Sequence, residues 1–145
     1  MEINNRKARY DYSVIDSYEA GIVLTGTEIK SIRASKMNIA DSYAIVKGDE
    51  IFLLNAHISV YKEGNIFNHE ETRTRKLLLH KKEIKKIKEV IKTSGYTLIP
   101  LKVYLKHGLA KVLIGVCKGK KEYDKKDSIK ERDLDRYNKK EYKYR

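Results

Sequence analysis

The sequence predicts a mainly β protein, a small barrel or sandwich of short strands accompanied by helices and followed by a polar tail. Three observations lead there: short β-branched and aromatic runs recur between residues 22 and 116, residues 81–93 carry an apolar stripe at helical spacing, and the composition changes abruptly after Cys117.

In chain order, residues 22–24 (Ile-Val-Leu) form the first short strand. Thr27 then caps a short helix in which Ile29 and Ile32 face inward at i, i+3 while Lys30 and Arg33 stay outside. Strands are expected over 43–46, 51–54 and 56–60, the first two joined by a hairpin-like turn at Gly48-Asp49-Glu50. Residues 72–79 open with β-compatible alternation and end in a leucine triplet. If they are extended, Arg73 and Arg75 share one face, and Thr72, Thr74 and Lys76 the other.

A helix over 81–93 buries Ile84, Ile87, Val90 and Ile91 and exposes lysines, with Gly95 as its C′ residue. Leu101, Val103 and Leu105 then alternate with Lys102, Tyr104 and Lys106, a period-two pattern with a basic outer face. His107-Gly108 turns the chain into a last strand over 109–116, where Val112, Ile114 and Val116 alternate with Leu113 and Gly115. From Lys118 to Arg145 only six of 28 residues are apolar or aromatic. Six scattered residues do not offset an ordering cost of roughly 1–2 kcal/mol per residue, so the tail is expected to be disordered alone. It can fold on a partner, because Asp127 or Ser128 can cap a helix and neither Gly nor Pro follows Ile129.

The length of 145 residues suits one folded unit, here residues 1–117, plus the tail, 118–145. The charge is +12, from 32 Lys+Arg against 20 Asp+Glu. That excess favours a polyanionic partner, although a chain rich in Lys, Ile, Asn and Tyr also fits codon bias. The tail holds twelve of the basic and seven of the acidic residues, so it carries +5 and the body +7. The single Cys117 excludes an internal disulfide framework and fits a reducing compartment. No apolar run approaches the ~20 residues of a membrane span, and the polar start lacks a secretory h-region. The expectation is a soluble cytosolic protein without membrane contact.

Enzyme chemistry is sparse. His57, His69, His80 and His107 lack metal-ligand spacing, and no Gly-rich phosphate loop or nucleophile signature is present. The one catalytic alternative places a magnesium ion on Asp11, Asp16 and Glu19, as in a nuclease. Neither a cofactor nor a resident metal is expected. Four basic segments have the texture of RNA binding instead: residues 5–12, with Arg6, Lys7 and Arg9 beside Tyr10 and Tyr12; residues 72–76; Lys118-Gly119-Lys120-Lys121; and the tail itself.

These segments belong to a longer pattern. In order along the chain stand Asn5-Arg6-Lys7-Ala8-Arg9-Tyr10, Tyr18-Glu19-Ala20-Gly21-Ile22, Gly26-Thr27-Glu28-Ile29-Lys30-Ser31-Ile32-Arg33 and Asn38-Ile39-Ala40-Asp41-Ser42-Tyr43. They are followed by Thr72-Arg73-Thr74-Arg75-Lys76-Leu77-Leu78-Leu79, by residues 111–121 (Lys-Val-Leu-Ile-Gly-Val-Cys-Lys-Gly-Lys-Lys), and by Ile129-Lys130-Glu131-Arg132-Asp133. No one run is diagnostic; together, in this order, the sequence resembles the small protein B (SmpB) family, partners of transfer-messenger RNA (tmRNA, SsrA).

The resemblance implies an OB-like antiparallel β-barrel with two or three peripheral helices and a basic C-terminal tail. It implies a non-enzymatic, cytoplasmic RNA-binding protein that binds the tRNA-like domain of tmRNA and delivers it to stalled ribosomes for trans-translation. The body would stand in for the missing anticodon arm, and the tail would enter the empty mRNA channel at the small-subunit decoding centre. Elongation factor Tu and alanyl-tRNA synthetase become indirect partners through the RNA, and a monomer is the easier fit to a single tRNA site. The rival binding reading is a generic OB-type single-strand binder.

Carried over by position, Glu19, Leu78 and Lys111 fall at the family's contacts with the tRNA-like domain. Lys111 suits a phosphate, Glu19 a base or 2′-OH, and Leu78 a sugar or base face. Asn5, Arg6, Arg9, Arg73, Arg75 and Lys76 are supporting candidates, and Tyr43 with Lys118, Lys120 and Lys121 forms the ribosome-facing set. Ile129 and Leu134 extend that set along the tail, together with Tyr123, Asp124, Lys125 and Lys126. Two departures stand out. Tyr123-Asp124-Lys125-Lys126 replaces the family's His followed by Asp-Lys-Arg, losing a group that titrates near neutrality and one bidentate fork. Leu134 stands where tryptophan is common, which favours an apolar wedge over stacking.

Overall fold

The structure is a computed structural model and describes residues 1–60, 68–93 and 95–119. Nine strands and three helices are present among these residues: β1 (Glu2–Asn4), α1 (Arg6–Asp11), β2 (Tyr12–Ile22), α2 (Gly26–Arg33), β3 (Met37–Asn38), β4 (Tyr43–Lys47), β5 (Glu50–Leu54), β6 (His57–Ile58), β7 (Arg75–Leu78), α3 (Lys81–Ile91), β8 (Tyr96–Lys106) and β9 (Leu109–Gly119).

The main sheet runs β1-β8-β4-β5-β7-β2-β9, and a further pairing of β9 with β8 closes it into a barrel. Every pairing in it is antiparallel. Closure removes the open edges on which sheets aggregate. One edge of β8 is shared: Leu98 pairs with Ala44 on β4, while 102–104 pair with β1. Strands β3 and β6 form a separate two-stranded ribbon. No helix among the described residues is long and apolar enough to cross a membrane.

Both expected turns are two-residue hairpin loops. Lys106 pairs with Leu109 across His107-Gly108, whose φ values of 53° and 78° are the positive pair of a type I′ turn. Lys47 pairs with Glu50 across Gly48-Asp49, where Gly48 takes φ 63°. The long meander β2 is the main departure from expectation. In place of a short strand over 22–24, an eleven-residue strand ends at Ile22. Its polar positions Ser13, Asp16 and Ser17 hid it, and pairing along the whole of β9 holds it in place.

Two bulges shape the wall made by β2, β9 and β8. Ile15 is the extra residue between Val14, which faces Cys117, and Asp16, which faces Val116. Leu101 is the extra residue between Pro100, facing Ile114, and Lys102, facing Leu113. A bulge breaks the period-two alternation. Leu101 therefore does not share a core with Val103, as simple alternation implied. It joins Ala8, Ile99 and Cys117 in a small outer cluster under α1, while Val103 lies in the barrel interior. Gly115 permits this, since a Cβ there would lie 2.8 Å from Leu101 Cδ1.

The interior is aliphatic: Ile51, Leu53, Leu77, Leu98, Val112, Ile114 and Val116 from the strands, with Ile32 of α2 and Ile87 of α3 packed into it. α3 ends at Ile91 rather than at 93, and Gly95, with φ 92°, serves the turn into β8 instead of the helix end. α2 is capped by Thr25, not Thr27. Thr25 Oγ1 accepts from the Glu28 amide at 3.3 Å and the Glu28 carboxylate accepts from the Thr25 amide at 2.9 Å, a complete capping box. β9 continues through Lys118 and Gly119, which pair with Ser13 and Tyr12, so the folded body extends two residues past 117.

Candidate nucleic-acid interface

Side chains alternate across a strand, so the residues of β9 that do not enter the core stand on the outer wall. Lys111 and Leu113 are two of them, and the ladder carries their rows onto neighbouring strands. Leu78 on β7 faces Gly21 on β2, Gly21 faces Lys111 on β9, Lys111 faces Tyr104 on β8, and Tyr104 faces Glu2 on β1. The adjacent row holds Glu19, Leu113 and Lys102. Glu19, Leu78 and Lys111, far apart in sequence and on three strands, thus share one patch of the outer wall.

Within the leucine triplet, Leu77 is in the core and Leu79 packs against it, whereas Leu78 is 50% exposed and points outward. Gly21 leaves a shallow gap between Leu78 and Lys111; a Cβ there would be 3.4 Å from that of Leu78. Glu19 accepts a short hydrogen bond from the Tyr104 hydroxyl and an ion pair from Lys106 Nζ at 3.3 Å. The Tyr104 bond is the largest influence on the Glu19 carboxyl and draws it below the usual carboxylate range, against the opposing effect of desolvation. Burial, and then the same bond, push the Tyr104 phenol up to about 12, so it stays a neutral donor at any physiological pH. Lys102 Nζ lies 5.4 Å from the Tyr104 ring centroid.

α1 borders this wall, packing Ala8 on Ile99, Leu101 and Cys117. Burial pushes the Cys117 thiol up to about 11, which makes it an inert core group. Arg6, Arg9 and Tyr10 are exposed on the helix, and Lys7 pairs with Asp41 at 2.9 Å. Asn5 is corrected. It is buried as the α1 N-cap: Oδ1 accepts from the Ala8 amide, and Nδ2 donates to the Ile39 and Pro100 carbonyls at 3.0 and 2.9 Å. Its amide holds the helix on the barrel.

Arg75 is corrected as well. Arg75 is fully buried; Nε donates to Glu28 Oε2 at 2.7 Å, Nη1 to the Ala56 carbonyl at 2.8 Å, and Nη2 to the Glu70 and Glu71 carbonyls. Arg73 donates to both Glu28 oxygens, at 2.7 and 3.2 Å, and to the Val23 carbonyl. The two guanidiniums face one buried carboxylate, a structural clamp in which Arg75 is fully enclosed and Arg73 keeps 34% of its side chain exposed. Lys76 stands next to Leu78 on the outside of β7, paired with Glu50 at 2.6 Å.

Tyr43 is exposed on β4, paired with Leu54 on β5 and next to Ala44, which pairs with Leu98 on β8. Lys118 lies in β9 with Nζ 5.3 Å from the Tyr96 ring centroid. Lys120, Lys121, Tyr123, Asp124, Lys125, Lys126, Ile129 and Leu134 lie outside the described residues. The acids of the nuclease alternative do not converge. Asp16 accepts from the Ser17 amide and the Tyr18 hydroxyl, Glu19 is held by Tyr104 and Lys106, and no three acids, histidines or cysteines gather for a metal among the described residues. Tyr104, Lys102 and Lys106 join the site through strand register, and the basic outer face of 102–106 is the sequence signal for them.

A closed antiparallel barrel whose outer wall sets cations, a phenol and an exposed leucine in adjoining rows defines a nucleic-acid-binding β-barrel protein of the OB type. The comparisons with known proteins are specific beyond that class. The family described as SmpB protein matches residues 2–144, and the chain belongs to this family. It is 60% identical to the SsrA-binding protein of Ligilactobacillus salivarius over 132 residues, 91% of this chain and 85% of that one. It is 60% identical to that of Enterococcus faecalis, covering 91% and 86%. A solved chain from the structure described as "tmRNA-SmpB: a journey to the center of the bacterial ribosome" superposes with a TM-score of 0.73 at 43% identity, over 93% of this chain and 95% of its own.

Proposed function

We propose that this chain binds the tRNA-like domain of tmRNA and delivers it to stalled ribosomes for trans-translation. Relatives at 60% identity are SsrA-binding proteins, and the structural neighbour belongs to a tmRNA–SmpB system on the ribosome. The observation that carries the reading onto particular residues is the meeting of Glu19, Leu78 and Lys111 on one outer wall. Lys111 neutralises phosphate, Leu78 packs against a sugar or base, and Arg6, Arg9 and Tyr10 on α1 extend the footprint. Tyr43 and Lys118 serve the ribosome-facing side.

In this reading the protein acts in the cytoplasm as a monomer and carries out no chemistry of its own. The body takes the place of the missing anticodon arm. The segment from 120 onward, with its excess of cations, enters the RNA-walled mRNA channel near the decoding centre and takes up helix there. Elongation factor Tu and alanyl-tRNA synthetase act through the RNA. Gel-shift affinity for the tRNA-like domain, set against ordinary alanine tRNA and a random single strand, tests the proposal. A clear preference for the tRNA-like domain is expected; equal affinity for all three makes the protein a generic single-strand binder.

A further inference from the structure

An acid at the centre of an RNA-facing wall is a physical oddity, because a carboxylate repels the phosphates that the surrounding lysines attract. Glu19 is such an acid, with Lys102 in its own row and Lys106 and Lys111 beside it. Its oxygens are already engaged: Oε2 accepts from the Tyr104 hydroxyl, and Lys106 Nζ lies 3.3 and 3.5 Å from the two oxygens. Both partners come from β8, reached across β9, so one carboxylate ties side chains on two strands that do not pair with each other along this stretch.

We propose that Glu19 serves RNA binding as a positioning residue, fixing the Tyr104 ring and the Lys106 ammonium beside Lys111, and that the Tyr104 ring is the surface a base or ribose meets. This rests on the RNA-binding reading above. A tyrosine ring has two side-chain torsions and a polar tip, so anchoring the hydroxyl fixes the direction in which the side chain lies across the wall. Tyr104 is half-buried, directly opposite Lys111 in the ladder, and Lys102 approaches its ring at 5.4 Å. A ring held in this way offers a stacking surface beside Lys111 and Lys102, the latter also paired with Glu2 at 3.3 Å, suited to an unpaired base or its ribose followed by phosphates.

The test is a pair of comparisons in the full chain, read as affinity for the tRNA-like RNA. Glu19→Ala is expected to weaken binding by about tenfold in the wild-type background. In a Tyr104→Ala background the same change is expected to cost about threefold or less, because the group that Glu19 positions is gone. A larger further loss that persists when Lys106 is also replaced by Ala means that Glu19 touches RNA on its own and overturns the proposal. If Tyr104→Ala does not fold, as judged by circular dichroism, Tyr104→Phe takes its place, since it severs the same hydrogen bond and keeps the ring. Tyr104→Ala is also expected to leave the salt slope unchanged, whereas Lys111→Ala lowers it. If wild type binds the tRNA-like RNA no better than a random strand and Lys111→Ala is neutral, the functional reading itself has failed, a different result from that of the paired comparison.

Discussion

Arg75 Nε donates to Glu28 Oε2 over 2.7 Å, with both side chains fully buried. Glu28 is at the same time the N3 residue of the α2 capping box, so this one carboxylate joins a helix start to β7. Desolvation alone would raise its pKa. The hydrogen bonds from Arg73, the Thr25 amide and Arg75 outweigh that and hold it at about 2, against an ordinary value of 4.5. A depressed carboxyl stabilises the fold fully above its unfolded pKa and loses that contribution as pH falls towards the folded one. Stability on the order of 3 kcal/mol is therefore expected to disappear between about pH 5 and pH 2. Glu28→Gln is expected to lower stability at pH 7 by about 3–5 kcal/mol, since it leaves two guanidiniums facing a neutral group, and to flatten the profile in that window. Urea unfolding as a function of pH, wild type against variant, measures both; parallel profiles would contradict this account of the clamp.

Gly115→Ala addresses the bulge. The added Cβ would lie 2.8 Å from Leu101 Cδ1 and 3.1 Å from Cys117 Sγ, inside a cluster that has no room for it. Overpacking of this kind costs about 1–3 kcal/mol. The displaced groups are those on which α1 rests, so the variant is expected to lose RNA affinity as well as thermal stability. Leu101→Ala in the Gly115→Ala background makes space and is expected to recover part of the stability, read as the melting temperature.

How far the sequence reveals this architecture depends on whether a feature is local. Both hairpin turns are legible because each is set by two residues, Gly48-Asp49 and His107-Gly108. The α3 stripe is legible because Ile84, Ile87 and Ile91 recur at helical spacing. What escapes is decided across strands. β2 is obscured by its polar outer positions, and Leu101 departs from alternation only because β9 imposes a bulge. The arginines of 72–76 look like an RNA edge until Glu28, some 45 positions earlier, is seen beneath them. Asn5 reads as a surface amide until Ile39 and Pro100 supply its carbonyl partners. In the interface, resemblance points to Lys111 and Leu78, but the pairing of Lys111 with Tyr104 is a property of strand register alone.

Leu78 and Lys111 separate binding from stability. Leu78 is half exposed, so Leu78→Ala is expected to change unfolding free energy by no more than about 0.5 kcal/mol while weakening RNA binding. Lys111→Ala is expected to reduce the slope of log affinity against log salt by ~0.7–0.9, the share of one phosphate. Gly21→Ala fits beside Leu78 without backbone strain and is expected to weaken binding by filling the gap in the row. Salt-dependent gel shifts alongside thermal melts check all three. A variant that loses stability and affinity in proportion would place its residue in the fold rather than in the interface.

The end of β9 determines where the chain can be cut. Gly119 pairs with Tyr12, and Lys118 pairs with both Ser13 and Tyr96, so the ladder between β2, β9 and β8 runs to the last described residue. Truncation after Gly119 leaves that ladder intact, and the shortened protein is expected to melt like the full chain and to bind the tRNA-like RNA with similar affinity. It is also expected to lose peptide tagging in a reconstituted ribosome-rescue assay, because the cation-rich segment that would follow the channel is gone. Truncation after Cys117 removes Lys118 from the Tyr96 ring and unpairs Tyr12 and Ser13 at the start of β2, beside α1. That protein is expected to melt several degrees lower, a shift of about 4 °C for each kcal/mol in a domain of this size. If the cut after Gly119 also abolishes RNA binding, the tail contributes to the grip on RNA, and the division of labour between body and tail is wrong.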